Sequence, residues 1–480
     1  MAYKIGTRKQ MNLFPPLVED YVSKEDPVRV YDAFVEALNL KELGIHIEPC
    51  KAGAHEYYPK DMLKLIIYGS SYSVHSSRKL ERACHHNLSF IWLMGDLKPD
   101  YRTIARFRGE HKEAIKKVLK QCVRTCINLD LIEGNALFID GSPFRASASI
   151  KNTWTKERRE RHLKELSLHI DKLVDESVKM DQDEDNKESL VEVKKELTDK
   201  LALKSKIQHI NETLKDNPLK QHNTTDPDAV KTRSRQGGVH AGYNAQIAVD
   251  KKNGLIVQSE ALSHNQDYNK FNDQLNKASE VLEKKPEFAS SDCGYYSLKD
   301  IKNVDENVKV VMPSIKQAQK EKRLHPLSPF DKEQFKYDPS KDEYICPAGK
   351  RLKCHSSSQS KAKKPIYRTE PGVCQTCQYF KKCTKSSAGR HIAHHEEEDL
   401  KRKLQAVYLS PEGQEIYKLR KQKVELPFGH IKRNLKAGQF MLRGKAKVDA
   451  ELALLSTCFN IARMITLVGI PALLLKLKAA

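Results

Sequence analysis

The sequence predicts a multidomain α+β protein, and three observations carry that prediction. Through roughly the first 130 positions apolar residues recur at three- and four-residue steps, as in Asp61 to Tyr68, Ser77 to His85 and Thr103 to Val123, which is the period of a helix. From Asn135 onward short apolar runs bounded by turn residues take over, which is the pattern of strands. Two stretches stand apart: a Lys- and Glu-dense one from Trp154 to Asn217, helical in its spacing, and a cysteine-rich one after about residue 317. At 480 residues the chain is also too long for one ordinary core.

The expected order is a helical domain over 1–130, a mixed α/β sheet domain beginning at 131–316, a cysteine-rich insertion over 317–398, and the remainder of the sheet domain with a terminal helix over 399–480. In the sheet domain Ala136 to Ile139 reads as a buried strand that stops at Asp140. Tyr243 to Val249 and Leu255 to Ser259 flank Lys252-Asn253-Gly254 and read as a hairpin. A helix is expected from Tyr268 to Leu282, then strands at Phe288 to Ser291 and Val308 to Met312, and one long helix from about Leu404 to Leu435. Alternation of strands with helices of this kind indicates a mixed sheet. Within the domain, about 152–220 reads as an inserted helical hairpin. Leu163, Leu166, Ile170, Leu173 and Val174 form one seam, a second seam runs from Leu190 to Leu214, and Met180 to Asn186 is an acidic break. A solvated spacer arm and a direct contact to a polyanion are both open for it.

Lys and Arg number 84 against 63 Asp and Glu, a formal charge of +21. That excess predicts a polyanionic partner, with nucleic acid first. The N-terminus shows no apolar signal-peptide core. The most apolar run, Met464 to Leu475, is shorter than a membrane span and contains Pro471. A reduced cytoplasmic protein without a membrane partner is therefore expected, in which the 11 cysteines are not a disulfide framework.

Two acids stand where apolar runs stop: Asp140 in Phe138-Ile139-Asp140-Gly141-Ser142, and Asp292 in Ser290-Ser291-Asp292-Cys293-Gly294. A third, Glu425, sits in the basic helical segment Tyr417 to Lys432. Carboxylates brought close together repel, and divalent cations relieve that repulsion; Mg²⁺ prefers oxygen donors. Two such ions can activate a water or a 3′-hydroxyl and stabilise the leaving oxygen in phosphoryl transfer. Isolated strand-end Asp residues are also common as turn formers, so the reading rests on all three together.

Five cysteines crowd between Cys346 and Cys383. Cys346, Cys374, Cys377 and Cys383 can supply four thiolates to a tetrahedral structural zinc, with Cys354 and His355 as competitors for one place. The surrounding lysine-rich sequence offers little apolar core, so a metal would help it fold. In the N-terminal domain Pro99-Asp100 marks a helix start. Ile104 and Phe107 would then face the core, leaving Arg102, Arg106 and Lys112 outward. Such a helix can enter a major groove, and a plain basic surface helix has the same pattern.

Ile139-Asp140-Gly141-Ser142, Ser291-Asp292-Cys293-Gly294-Tyr295-Tyr296-Ser297 and Tyr417-x2-Arg420-x4-Glu425-x6-Lys432 resemble the motifs of DDE-type transposases of bacterial insertion sequences. Asp226-Pro227-Asp228-Ala229, Gly242-Tyr243-Asn244-x-Gln246 and Thr103 to Arg108 support the resemblance, which spans nearly the whole chain. It implies a ribonuclease H-like catalytic core behind a helical DNA-binding domain, with Asp140, Asp292 and Glu425 as the acids that hold two Mg²⁺ or Mn²⁺ ions. It also implies binding of terminal inverted repeats, cleavage and 3′-end transfer to target DNA, and a homodimer to pair two ends. A metal-dependent nuclease without strand transfer and a non-catalytic transposase-derived DNA-binding protein are the alternatives.

The helix motif departs from the usual spacing, which puts three residues between Arg and Glu where this chain has four. At about 100° per residue, Lys421 and Lys432 fall near the face of Glu425 and Arg420 turns aside. Lys421 is therefore expected in the phosphate-clamping role together with Lys432, with Arg420 and Tyr417 displaced.

Overall fold

The computed structural model describes residues 17–47, 56–181, 187–215, 221–233, 238–323, 328–355 and 365–479. The chain divides into two units. The first comprises Met1–Asp267, Asp273–Pro286 and Arg420–Ala480; the second comprises Tyr268–Asn272 and Glu287–Leu419.

The first unit opens with α1 (Val28–Glu36), α2 (Leu40–Leu43), α3 (Pro59–Ser71), α4 (Ser77–His86), α5 (Leu88–Leu93), α6 (Tyr101–Glu110) and α7 (Lys112–Asn128). The helical reading of this region holds. Its apolar steps become the buried faces, with Leu65, Ile66 and Ile67 of α3 and Val118, Cys122 and Cys126 of α7 inside. Asp100 starts α6 as expected, its carboxylate accepting from Thr103 N at 2.7 Å.

Strand β1 (Ala136–Arg145) follows. It does not stop at Asp140. It pairs antiparallel with β5 (Val239–Asp250) from Leu137↔Asp250 through Gly141↔Gln246 to Arg145↔Gly242, so Asp140 lies mid-strand. The apolar run ends at Ile139, but the backbone ladder continues to Arg145.

Between these strands β2 (Thr153–Thr155) and β3 (Gln221–Asn223) pair antiparallel and form the root of two long helices, α8 (Lys156–Asp181) and α9 (Lys187–Lys215). Leu166, Ile170 and Ile207 form their shared core, flanked by Leu163, Leu197 and Trp154. The expected acidic break lies largely outside the described residues. Strand β4 (Val230–Arg233) pairs antiparallel with the start of β5. Beyond it on the same edge runs β6 (Ile256–Leu262), after a turn in which Gly254 adopts φ +69°. Helix α10 (Phe271–Leu282) crosses the unit boundary.

In the second unit β7 (Phe288–Ser290) and β8 (Lys309–Val311) pair in parallel around α11 (Leu298–Ile301), and α12 (Ile315–Arg323) follows. The cysteine-rich segment forms a second, five-stranded antiparallel sheet: β9 (Lys336–Asp338), β10 (Glu343–Ile345), β11 (Arg351–His355), β12 (Ile366–Arg368) and β13 (His391–Ala393), in that spatial order. The expectation that this region lacks an apolar core is corrected. Phe335, Tyr344, Leu352, Tyr367 and Ile392 pack into one, each separated from the others in sequence by lysines and turns that hide the cluster from a composition reading.

The long helix expected over Leu404 to Leu435 is two helices, α13 (Glu398–Leu409) and α14 (Pro411–Gly429). Ser410 is extended and its Oγ accepts from Gly413 N at 3.0 Å, while Pro411 takes the first helical position, where its missing N–H costs nothing. Near the end of α14, Pro427 removes a helical donor, and the following turn, His430–Asn434, is a wider π-helical one.

Back in the first unit, α15 (Lys445–Val468) and α16 (Ile470–Ala479) close the chain. Among the described residues α15 is the one helix long and apolar enough to cross a membrane. Its face from Leu452 to Ile461 is buried in the protein instead, as in a core helix, and Asn460 exchanges hydrogen bonds with the Ile256 backbone of β6.

Candidate active site

The alternation of side chains along β1 sorts the site into two faces. Asp140, Ser142 and Phe144 share one face. There Arg420 Nη2 donates to Asp140 Oδ1 at 2.9 Å, a pair whose side chains are only 7% and 15% exposed. Lys432 Nζ donates to Ser142 Oγ at 2.6 Å and to the Pro143 carbonyl at 2.9 Å, and lies 4.5 Å from the centre of the Phe144 ring. One acid and two cations thus stand along a single strand face.

The expectation that Arg420 turns aside is therefore corrected. Helical phase does set it about 140° from Glu425. But Ile416, Val424, Phe428 and Ile431 are buried at three- and four-residue steps, and Arg420 falls on that buried stripe. It points inward, and its long side chain carries the guanidinium to Asp140. Lys421 lies on the exposed side, one turn from the exposed Glu425. Tyr417, in the second unit, is buried and packs edge-on against Tyr408 with ring centres 5.2 Å apart.

On the opposite face of β1, Gly141 leaves room that a side chain would fill. A Cβ there would meet Gln246 Nε2 at 2.3 Å and Asp267 Oδ1 at 2.5 Å. Asn244 Nδ2 and Gln246 Nε2 each donate to Asp267 Oδ1 at 2.7 Å. Asp267 was not singled out from sequence. Its signal was the pair of amides two residues apart on β5, which share a face and need an acceptor. Tyr243, one residue before Asn244, points the other way, and its hydroxyl donates to Asp226 at 2.8 Å. Asp226 also accepts from Gly444 N at 3.1 Å and Asp228 from Lys445 N at 2.7 Å, so Asp226-Pro227-Asp228 holds the start of α15.

In the second unit Asp292 follows β7 by two residues and caps a 3₁₀ turn, Cys293–Tyr295, accepting from Gly294 N at 2.8 Å. It is partly exposed. On α6, Ile104 and Phe107 are buried while Arg102 and Arg106 are exposed, and Arg102 Nε donates to the Tyr101 hydroxyl at 3.2 Å.

Cys346, Cys374, Cys377 and Cys383 line one small, mainly apolar cavity of about 30 Å³ together with Phe335 and Phe380. Lys350 N donates to Cys346 Sγ at 3.2 Å, and Thr369 Oγ1 lies 3.1 Å from Cys374 Sγ. Burial pushes the Cys383 thiol up, the nearby Arg390 works against that, and the other three thiols add to the rise. Cys354 is exposed on β11 and His355 is partnered by Arg368, so neither lines the cavity. Among the described residues no three His, Cys, Asp or Glu side chains stand together as a metal-holding group, which applies to the acids and to these thiols alike.

Two family matches fall on these elements. Residues 16–110 match a transposase domain, DUF772, which covers α1 to α6. Residues 345–465 match a transposase DDE domain, which covers β11 to β13, α13, α14 and most of α15. A search of curated proteins and of solved structures found no match. The matches to two transposase families in separate parts of one chain indicate an insertion-sequence DDE transposase.

Proposed function

We propose that this transposase binds the ends of its own insertion sequence, cleaves phosphodiester bonds there and transfers the freed 3′ ends to target DNA. The observation that carries this reading is the β1 face, where Asp140 is flanked by Arg420 and Lys432. An acid beside two fixed cations suits a backbone phosphate next to a reacting centre. Asp140, Asp292 and Glu425 are the acids we assign to the chemistry. All three offer carboxylate oxygens, the donor type that Mg²⁺ or Mn²⁺ takes. When bound, a pair of such ions supplies an activated oxygen nucleophile and charge for the leaving oxygen.

The chain's own residues do the rest. Lys432 is held by Ser142 and the Pro143 carbonyl, and fixes a phosphate over β1. Arg420 orients the Asp140 carboxylate through its hydrogen bond. Lys421, exposed beside Glu425, and Arg102 and Arg106 on α6 extend the cationic track along the duplex. Pairing two ends in one complex favours a homodimer in a cytoplasmic setting. Cys346, Cys374, Cys377 and Cys383 are assigned to a structural zinc, because four thiols share one apolar cavity and a backbone N–H already donates to one of them.

The test is a nicking assay on duplexes that carry the element's ends. Asp140→Asn, Asp292→Asn and Glu425→Gln should each abolish cleavage while leaving end binding nearly intact, and double variants should be scarcely worse than single ones. Near-normal cutting by any one of them removes that residue from the site. For the zinc, metal analysis should find about one ion per chain. Cys377→Ser should lower it and speed proteolysis across 340–395, and Cys354→Ser should do neither. A zinc-free protein with an unchanged protease pattern refutes the assignment.

A further inference from the structure

We propose that His75, in the turn between α3 and α4, is a positioning residue for Lys432, and that through it the N-terminal helices set the phosphate contact on β1. The inference rests on the reading of Lys432 as a phosphate contact. The π-helical turn that carries Lys432 ends at Asn434 and Leu435, whose carbonyls have no helical partner ahead of them. Both are met from the N-terminal helices. Ser73 Oγ donates to Asn434 O at 3.0 Å, and His75 Nε2 donates to Leu435 O at 2.6 Å.

A carbonyl acceptor requires the proton on Nε2, and burial holds the imidazole pKa below its ordinary value, which favours that neutral form. The backbone of the 73–75 turn is fixed in its turn. Ser73 adopts φ +64°, and Val74 N donates to Gly69 O at 2.7 Å. Arg108 Nη1, from α6, donates to the His75 carbonyl at 2.6 Å, while Arg108 Nε is buried without a hydrogen-bond partner among the described residues. Nearby, the Glu451 carboxylate takes the backbone N–H groups of Met441 and Leu442 at 2.9 to 3.1 Å, which fixes the chain leaving the turn.

The other side of the turn is equally tied. Arg145 N donates to Gly438 O at 3.2 Å and Phe440 N to Arg145 O at 2.9 Å, so the chain leaving the turn lies along the end of β1. Lys432 is thus carried on a wide turn clamped between β1 and the 73–75 turn. Arg108 belongs to the same helix as Arg102 and Arg106, so a shift of α6 on DNA is passed through the His75 carbonyl and ring to the Lys432 turn.

The experiment is a double-mutant cycle between His75→Ala and Lys432→Ala, with His75→Gln as rescue, since a Gln amide places a donor at a similar reach. End-DNA nicking at saturating DNA, the salt slope of binding, and hydrogen exchange across 430–437 are read for each. His75→Ala should nick about three- to tenfold more slowly, the worth of one neutral hydrogen bond, and flatten the salt slope toward that of Lys432→Ala. In the Lys432→Ala background it should add almost nothing. Exchange across 430–437 should quicken, and His75→Gln should restore most of each readout. Additive effects in the cycle, or unchanged exchange in His75→Ala, overturn the proposal. If the wild-type protein nicks no end DNA, the proposed function fails, while the exchange data still decide this inference.

Discussion

Replacing Arg420 by alanine should destabilise the first unit far more than replacing its neighbour Lys421. The Arg420 guanidinium and the Asp140 carboxylate stand 2.9 Å apart, with side chains 7% and 15% exposed. At an effective dielectric near 20, unit charges about 4 Å apart attract by about 4 kcal/mol. Desolvation offsets much of that in the intact pair, but removing one partner strands the other charge, which costs about 3 to 5 kcal/mol for buried pairs. We therefore expect about 3 kcal/mol for Arg420→Ala and less than about 0.5 kcal/mol for the exposed Lys421→Ala. Unfolding of a chain this size is not two-state, so the assay is native-state hydrogen exchange read on peptides from β1 and β5. In an Asp140→Asn background the cost of Arg420→Ala should fall by more than about 1 kcal/mol. A cost below about 1 kcal/mol, equal for both variants, would show that Arg420 does not hold Asp140 and would return Lys421 to consideration.

Three further outcomes follow from the same contacts. Gly141→Ala should destabilise by about 1 to 3 kcal/mol in the same exchange measurement, because its Cβ would press on Gln246 and Asp267 at 2.3 and 2.5 Å. Asp228→Ala should cost about 1 kcal/mol and fray the start of α15, since it removes the carboxylate that accepts from Lys445 N. Burial lowers the His75 pKa in the folded state, so on acidification through about 6.5 the unfolded chain takes the proton first and stability falls. Buried Glu451, Asp250 and Asp449 have raised pKa values and act with the opposite sign from about pH 4 upward. The His75 part is isolated as the difference between wild type and His75→Gln. The wild type should lose stability more steeply between pH 7.5 and 5.5, by at most about 1.4 kcal/mol per pH unit. Equal slopes contradict the assignment.

Local pattern carried the fold wherever one face of an element was buried. The helical steps of Asp61 to Tyr68 and the hairpin around Gly254 are found as read. Failures arose where tertiary contacts overrode a local signal. β1 runs past Asp140 because its ladder with β5 continues under polar residues. The helix beyond Leu404 breaks at Ser410 because Pro411 begins a new one. The five-residue core around Tyr344 is spread from Phe335 to Ile392, so no short sequence window contains it.

The site shows the same division. Asp140 and Lys432 were singled out from the motifs, and Lys432 lies against Ser142 and Pro143 of the strand that carries Asp140. Arg420 was misjudged because its phase was measured against Glu425 alone. The buried stripe through Ile416, Val424 and Phe428 was there to be read, and it puts Arg420 inward. Asp267 and His75 were missed because each matters only through a partner distant in sequence, Gln246 in one case and Leu435 in the other.

Joining is distinguished from cutting alone by a strand-transfer reaction. A labelled duplex ending in the element's terminal repeat is incubated with the protein, Mg²⁺ and a supercoiled plasmid. The labelled 3′ end should become covalently joined to plasmid DNA, and Asp140→Asn should abolish the product. Nicking of the repeat without any joined product would contradict it and leave a metal-dependent nuclease. Binding without nicking would leave a DNA-binding protein that has kept the fold and not the chemistry.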